Sequence, residues 1–501
     1  MPHIARRLIV IALLAGSAAG GASAQVAGST PDSATASRTA PSPDTLSAAR
    51  TSGGEPHNLM PAAEILGFLA LTNVGARIMY PNETQDGIKV YSSTFKSTWD
   101  HLRTQHWVHD IDPFNTNQFQ HPYQGASMYG LARSSGHSFW TSLIYSNVGS
   151  FVWKMAGETD PPSINDIITT GQAGSMLGEA LYRMADLIVR DSGDTGLNPL
   201  HQVGEALVSP SSSLNRHILG NRYRAHLPDS LPAIFWHLRF GATLDALAKD
   251  VSTPTSLFLR RDATVDFAIA YGLPGRAGYT YTRPFDYFDF QSSLLPSTFS
   301  NFIENIMVRG LLAGQKTKDS DNSRGIWGLY GSFDYISPYL FRVSSTALSL
   351  GTTRQYDISP GVALQGSFLV GAGYGAAGTT TVIPSTPINA AIRDYHFGVT
   401  PQALLAARLL LGDRVMLDMT ARDYYVSGVG SDDSRGSEKI FRGNVGATFR
   451  IHGGNAVGFQ YVLSTRSAEY GTMPDKKMQE GTITIVYTIL GNEHFGAVNW
   501  R

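Results

Sequence analysis

Between Asp262 and Leu490 the chain repeats one pattern eleven times: a run in which apolar and polar side chains alternate. Successive side chains of an extended strand point to opposite faces, so such alternation marks a strand with a single apolar side. Val265, Phe267, Ile269 and Tyr271 share one face, and Thr264, Asp266 and Ala268 share the other. Val457, Phe459, Tyr461 and Leu463 oppose Gly458, Gln460 and Ser464 in the same way. Ile483, Ile485, Tyr487 and Ile489 oppose Thr482, Thr484 and Thr488. Several runs reach about ten residues, the length a tilted strand needs to cross a bilayer. Globular strands are closer to about five or six. Eleven visible segments predict about twelve strands, because bacterial single-chain barrels take even numbers. A soluble sandwich or lipocalin-like barrel also alternates. Strand length, together with Tyr279, Tyr281, Trp327, Tyr424 and Tyr425 near strand ends, favours a barrel in a membrane.

The N-terminus supports export. Arg6 and Arg7 precede an apolar stretch from Leu8 to Leu14, too short to span a bilayer, and Ala22-Ser23-Ala24 supplies a small-residue cleavage signal. The expected divisions are a signal peptide over 1–24, a Ser/Thr/Ala/Pro-rich tether over 25–56, a helical module over 57–255 and a transmembrane β-barrel over 256–501. The fold class is therefore an α+β membrane protein, an N-terminal helical module followed by an antiparallel outer-membrane barrel. The chain has no cysteine, which removes disulfides and thiolate metal sites. A formal net charge of −1 gives no support for a nucleic-acid partner. Outer-membrane lipid is the one partner the pattern implies, and no cofactor is expected. Barrels of this kind usually end on an aromatic residue. Here Trp500 is followed by Arg501, so the last strand is predicted to stop near Leu490 and leave a short tail.

Upstream of the alternation lie helical patterns. Pro61 to Tyr80 reads as a first helix, and a run from about Ser127 to Gly157 as a second. A third opens at Ser163, with Asp166 three positions on as a carboxylate variant of the capping box, and continues to about Arg190. Ser138, Ser142, Ser146, Gly149 and Ser150 recur in the second of these, and Gly171, Gly174, Ser175 and Gly178 in the third. Small residues at such spacings permit close backbone approach. Within the second of these helices, Ser138 to Ala156 is about 19 residues, roughly 28 Å of helix, near the hydrocarbon thickness. Its serines suit lipid tails poorly, so the expectation is a helix on the barrel's inner wall, plugging the lumen. Glu158, Asp166 and Arg183 would then join lumen groups such as Gln460 and Thr484.

Two of these helical stretches also carry a resemblance. DPFNTNQFQHPYQGASMYGLARSSGHSFWTS and GSFVWKMAGETDPPSINDIITTGQAGSMLGEALYR resemble the bacterial domain of unknown function 3943. The resemblance extends to FDYISPYLFRVSSTALSLGTT and to the closing FGAVNWR. It implies an envelope protein without an assigned activity.

Candidate chemistry is sparse. His121 and His137 are the weak catalytic candidates for a rival reading, an enzyme acting on lipid or lipopolysaccharide. Adjacent helical residues point about 100° apart, so His137 is poorly placed to activate Ser138. Asp110, Asp112, Asn115, Asn117 and His121 offer oxygen and imidazole ligands, but the calcium-loop spacing is absent, and the pair His106 and His109 has no third ligand, so no metal site is expected. Asn117, His121, Glu158, Asp166, Glu179 and Arg183 form the expected polar network, with Asn117 and His121 bonding an irregular loop. Glu179 and Arg183 stand four apart, in the favourable order for a helical ion pair. A third reading is a periplasmic binding module tethered to a barrel.

Overall fold

The structure is a computed structural model. It describes residues 56–499 except 83, 86–87, 104–105, 110–111, 191–198, 220–230, 249–256, 297–301, 339–340, 379–394, 429–435, 471–474 and 492–494. The expected signal peptide and nearly all of the tether lie outside the described residues.

Helices come first: α1 (Leu59–Met79), α2 (Phe95–Arg103), α3 (His121–Ser134), α4 (Phe139–Ala156), α5 (Ile164–Ile167), α6 (Gly174–Arg190), α7 (Pro199–Val208) and α8 (Pro210–Leu219). Two π-helical stretches are continuous with them, Thr116–Gln120 leading into α3 and Ile168–Ala173 joining α5 to α6. Asn115, Asn117 and His121 therefore sit at or in helix, not in the irregular loop that their composition suggested. The single run expected from Ser127 to Gly157 is two helices. Gly136 takes a left-handed φ of 90°, which ends α3, and the Ser138 hydroxyl accepts from the Thr141 N–H at 3.2 Å to cap α4. Ser163 precedes α5 without capping it; its hydroxyl donates to the Asp166 carboxylate instead.

Twelve strands follow: β1 (Ile234–Ala248), β2 (Leu257–Tyr271), β3 (Phe288–Leu294), β4 (Ile303–Lys316), β5 (Ser323–Ile336), β6 (Arg342–Ser359), β7 (Val362–Gly378), β8 (Tyr395–Leu411), β9 (Val415–Val426), β10 (Gly436–His452), β11 (Asn455–Tyr470) and β12 (Lys476–Leu490). Each pairs antiparallel with its chain neighbours, and β12 pairs with β1 from Gln479↔Ala248 to Leu490↔His237, so the ring closes without an edge. The strand count agrees with the expectation, but β1 begins upstream of residue 256, where the barrel was expected to start. At one end of the barrel the connections at 360–361, 412–414 and 453–454 are tight, with longer ones at 272–287 and 317–322.

The alternation sorts as read. Asp266, Gln460, Thr482 and Thr484 face a central cavity, while Phe459, Ile483, Ile485 and Tyr487 form part of an exposed apolar belt. On β2 to β5 that belt is covered. Ile269, Tyr271, Phe288, Phe290, Val308 and Phe333 keep outward-facing register, yet all are buried, packed in one cluster with Ala173, Met176, Leu177 and Ala180 of the helical module. Gly331 on β5 makes room for α6: a Cβ there would lie 2.8 Å from the Met176 sulfur.

The helices therefore lie on the outer wall. The expectation that they plug the lumen, with Glu158, Asp166 and Arg183 beside Gln460 and Thr484, is overturned. The reason is chemical: the covered wall is aromatic and aliphatic, whereas the lumen is lined by charge.

Within the module the usual arrangement of a soluble helix is reversed. On α4 the buried face carries Ser142, Ser146, Gly149 and Ser150, and the exposed face carries Trp140, Ile144, Val148 and Phe151. Exposed Leu66, Leu71, Val74 and Ile78 of α1 continue this surface, and α1 is long and apolar enough to cross a membrane, with a mean hydropathy of 1.4 over its best window. Polar groups inside and apolar groups outside suit a lipid solvent. Because the native chain has no cysteine, the arrangement is directly testable in outer-membrane vesicles. Cysteines at positions 144 and 485 should react with a lipid-soluble maleimide and resist a charged one, while a cysteine at buried position 146 reacts with neither. Rapid labelling of position 144 by the charged reagent would place α4 in water.

Candidate functional site

Two buried polar networks hold the module together, and a third set of charges fills the barrel. In the first network Glu179 is the hub. Its carboxylate accepts from Arg133 Nε at 2.8 Å, Tyr129 Oη at 2.8 Å and Arg183 Nε at 2.7 Å. Arg183 extends to the barrel, donating to the Pro284 carbonyl at 2.7 Å and to Asp286 Oδ1 at 3.3 Å. Arg133 also donates to the His137 carbonyl at 2.8 Å. Two arginines and two carboxylates thus balance at a dry helix–barrel junction, the condition under which buried charge is tolerated. The expected pair Glu179–Arg183 is present at helical spacing. Arg133, Tyr129 and Asp286 had no sequence signal, because they come from other elements.

The second network joins Lys154, Glu158 and Asp166. Lys154 Nζ lies 2.5 Å from a carboxylate oxygen of each acid, and Trp153 Nε1 donates to Glu158 at 2.6 Å. Asp166 also accepts from Ser163 and, at 2.7 Å, from Asn165 Nδ2. His121 Nε2 lies 3.5 Å from Asp166 without the alignment of a hydrogen bond. Nearby in the connector before the π-helix, burial pushes the Asp112 carboxyl up to about 6, with the charges of Glu158 and Asp166 adding to the effect and His121 opposing it. Asn117 stands apart from both networks, donating to Tyr395 Oη at 2.8 Å on the barrel wall.

This geometry does not assemble a nucleophile. A serine hydrolase needs an imidazole between hydroxyl and carboxylate. Here Asp166 stands between Ser163 and His121, and the serine proton already points at the carboxylate. His137 occupies the turn between α3 and α4, its ring 5.1 Å from that of Tyr145. Burial lowers its basicity, and its Nε2 has no hydrogen-bond partner. Of the candidate metal ligands, His109 packs against the mutually stacked rings of Tyr374 and Phe397, at 6.4 and 5.6 Å, and Asp110 lies outside the described residues.

The barrel interior holds a cavity of about 190 Å³, flanked by charge: Arg239, Arg309, Arg408, Arg422 and Arg442 against Asp266, Asp289, Glu304 and Asp418. Arg408 pairs with Asp418 at 2.9 Å, and Arg442 with Glu304 at 2.9 Å. Both ends of this polar section are closed by apolar side chains. At the tight-turn end the tail after β12 folds back into the mouth. Phe495 is fully buried among Phe235, Leu410, Met416 and Leu490, with the Arg450 guanidinium 4.9 Å over its ring. Gln355 and Gln365 hold the tail's backbone: Gln355 Nε2 donates to the Val498 carbonyl at 2.7 Å, and Gln365 Nε2 to the Gly496 carbonyl at 2.9 Å. Gly496 has a φ of 78°, and a Cβ there would collide with Phe235, so only glycine serves. At the opposite end Phe341, Val343, Tyr424, Val426 and Ile440 form a second apolar closure.

The fold and its belt define an outer-membrane β-barrel bearing a helical module. Residues 106–211 match the family model described as Domain of unknown function (DUF3943), so the chain carries that domain in its helical module, in agreement with the sequence resemblance. No curated protein matches the chain. Among solved structures it is similar to the COG4313 outer membrane channel from Pseudomonas putida F1, at 10% identity and a TM-score of 0.28, covering 52% of this chain and 96% of that one. It is also similar to the NanC porin, at 6% identity and 0.25, covering 50% and 98%. The P. putida toluene transporter TodX matches at 7% identity and 0.22, covering 53% and 90%. At these scores the architecture rests on the chain's own strand pairing.

Proposed function

We propose that the protein is a gated conduit of the outer membrane, closed in the state described, with the C-terminal tail as a removable stopper of the periplasmic mouth. The observation that carries this reading is the charged cavity lying between two apolar clusters of the barrel interior, one of which includes a tail segment held largely by two glutamines. A purely structural barrel has no need of an interior that keeps room for solute. The tight turns at 360–361, 412–414 and 453–454 support the orientation, since barrels of this class place short turns on the periplasmic side. No nucleic-acid partner belongs to this reading, and lipid is its principal neighbour. The six residues Asn117, His121, Glu158, Asp166, Glu179 and Arg183 then serve to fix the module on the wall, apart from any reaction.

Planar-bilayer recording tests the proposal. The intact protein should be silent, as should either single change, removal of residues 495–501 or Phe341→Ala. The two changes together should produce discrete conductance steps, with folding verified by heat-modifiable gel migration. A folded double variant that stays silent would favour the second reading, a structural barrel that anchors an intramembrane helical module, for which the reversed polarity of α4 speaks. Steady conductance from the intact protein would overturn the stopper.

A further inference from the structure

The lumen charges are unevenly paired, and the imbalance is local. Arg239 and Arg408 share Asp418, and Arg442 has Glu304. Arg309 and Arg422 have no carboxylate within 4.0 Å among the described residues. Arg422 Nη2 donates only to the neutral amide oxygen of Gln291, at 3.2 Å, and its Nε has no partner; Arg309 Nη1 has none either. Both side chains are more than nine-tenths buried, and both line the cavity. Asp289 faces Arg309 in the ladder between β3 and β4 but accepts from Tyr287 Oη at 2.7 Å instead. Asp334 accepts from Tyr424 Oη at 2.8 Å through one oxygen, and its other oxygen has no hydrogen-bond partner among the described residues, so neither guanidinium is bonded to it.

Two guanidiniums in one enclosed space repel each other, and each leaves donors unsatisfied. Buried polar groups are nearly always hydrogen-bonded, so two guanidiniums that line a cavity and keep unfilled donors call for a counterpart. The planar fork of arginine fits carboxylate and phosphate oxygens in particular. The cavity has room for more than an ion: a water occupies about 30 Å³ in the liquid, against about 190 Å³ here.

We propose that Arg309 and Arg422 form a binding site for a small anionic solute, one bearing a carboxylate or an oxyanion group, midway through the barrel. The site rests on the conduit reading for its purpose, since it names the class of solute that would pass. Its occupancy does not depend on conduction. Gln291 fixes the Arg422 head so that one guanidinium edge stays free, while Arg309 approaches from another part of the wall. Arg442 is paired with Glu304, and Arg239 and Arg408 divide Asp418 between them, so each of these three already has a carboxylate beside it.

The test uses the full-length protein refolded into neutral detergent, so that solute can enter before the ring closes. Inorganic phosphate and glucuronate serve as probes, at constant ionic strength, with chloride as the reference. Both the unfolding temperature and equilibrium dialysis of labelled probe are read. At least one probe should raise the unfolding temperature and bind at a single site. Arg422→Gln or Arg309→Gln should weaken that binding about 10-fold to 100-fold, the loss of one charge-assisted hydrogen-bonded contact. Without probe, either variant should unfold at a higher temperature than the parent, because the repulsion is gone. Arg260→Gln, outside the cavity lining, should leave binding unchanged. Phosphate binding alone would assign an oxyanion site, and glucuronate alone a carboxylate site. Equal binding by parent and both variants, or no single-site binding of either probe, would overturn the site. Silent bilayers with intact anion binding would instead discard the conduit and keep the site.

Discussion

Replacing Glu179 by alanine should detach the helical module from a barrel that still closes. The substitution removes the acceptor for three donors and leaves Arg133 and Arg183 facing each other at a dry junction. Breaking a buried pair by removing one partner costs about 3–5 kcal/mol, because the remaining charge is stranded. Arg183 keeps Asp286, but Arg133 keeps only a carbonyl. Limited proteolysis should then cut between α3 and α6, where the parent resists, while the barrel retains its heat-modifiable migration. Glu179→Gln, which still accepts hydrogen bonds, should fall between the two. An alanine variant as protease-resistant as the parent would show that this network does not hold the module.

The second large effect is expected at Gly174. This residue and Gly125 bring α3 and α6 into backbone contact: a Cβ on Gly174 would lie 2.7 Å from the Gly125 Cα, and one on Gly125 would run into the Thr170 carbonyl. No side chain is available to move aside, so Gly174→Leu should cost at least the ~3 kcal/mol at the upper end of overpacking. Gly178→Leu meets the buried Tyr129 ring at 2.9 Å and the Ala126 Cα at 3.1 Å, looser than the contact at Gly174, so its cost should lie within about 1–3 kcal/mol. Gly67→Ala on α1 has open space around it and should stabilise by about 1 kcal/mol through helix propensity. Urea titration of module fluorescence in detergent would rank the three, and a Gly174 variant equal to Gly67→Ala would refute the contact.

The barrel was legible because lipid and lumen impose opposite chemistry on alternate residues. Eleven strands announced themselves this way. β1 carries the same alternation, Trp236, Leu238 and Phe240 against His237, Arg239 and Thr243, but it lies inside the stretch expected to belong to the helical module. The small-residue faces of α4 and α6 were also legible as packing surfaces. Their location was not. Phe288, Phe290 and Phe333 would read the same whether they touched lipid or helix, and only the tertiary structure distinguishes a covered wall from a bare one. The turn at Gly136-His137-Ser138 carried its signal, a glycine in left-handed conformation followed by a capping serine, inside a stretch otherwise helical in composition. Among the charges, Glu179 and Arg183 were readable as neighbours on one helix. Lys154 stands four residues before Glu158 and carries the same local signal, whereas Arg133 and the lumen pair Arg309 and Arg422 do not, because charge pairing across elements leaves no local spacing.

That the helices sit against the outside of the ring has a consequence for biogenesis. Among the described residues no helix passes through the ring, so the ring of strands could close first and receive its helices sideways afterwards. Synthesis runs in the opposite order. The helices emerge first, with greasy faces outward and charged faces inward, and cross an aqueous compartment before any wall exists to receive them. Until Phe288, Phe290 and Phe333 are laid down in register, the module has neither its solvent nor its partner. Its safe passage then depends on being held in the meantime, and the lateral meeting of two halves of one polypeptide is the step this geometry leads one to expect last.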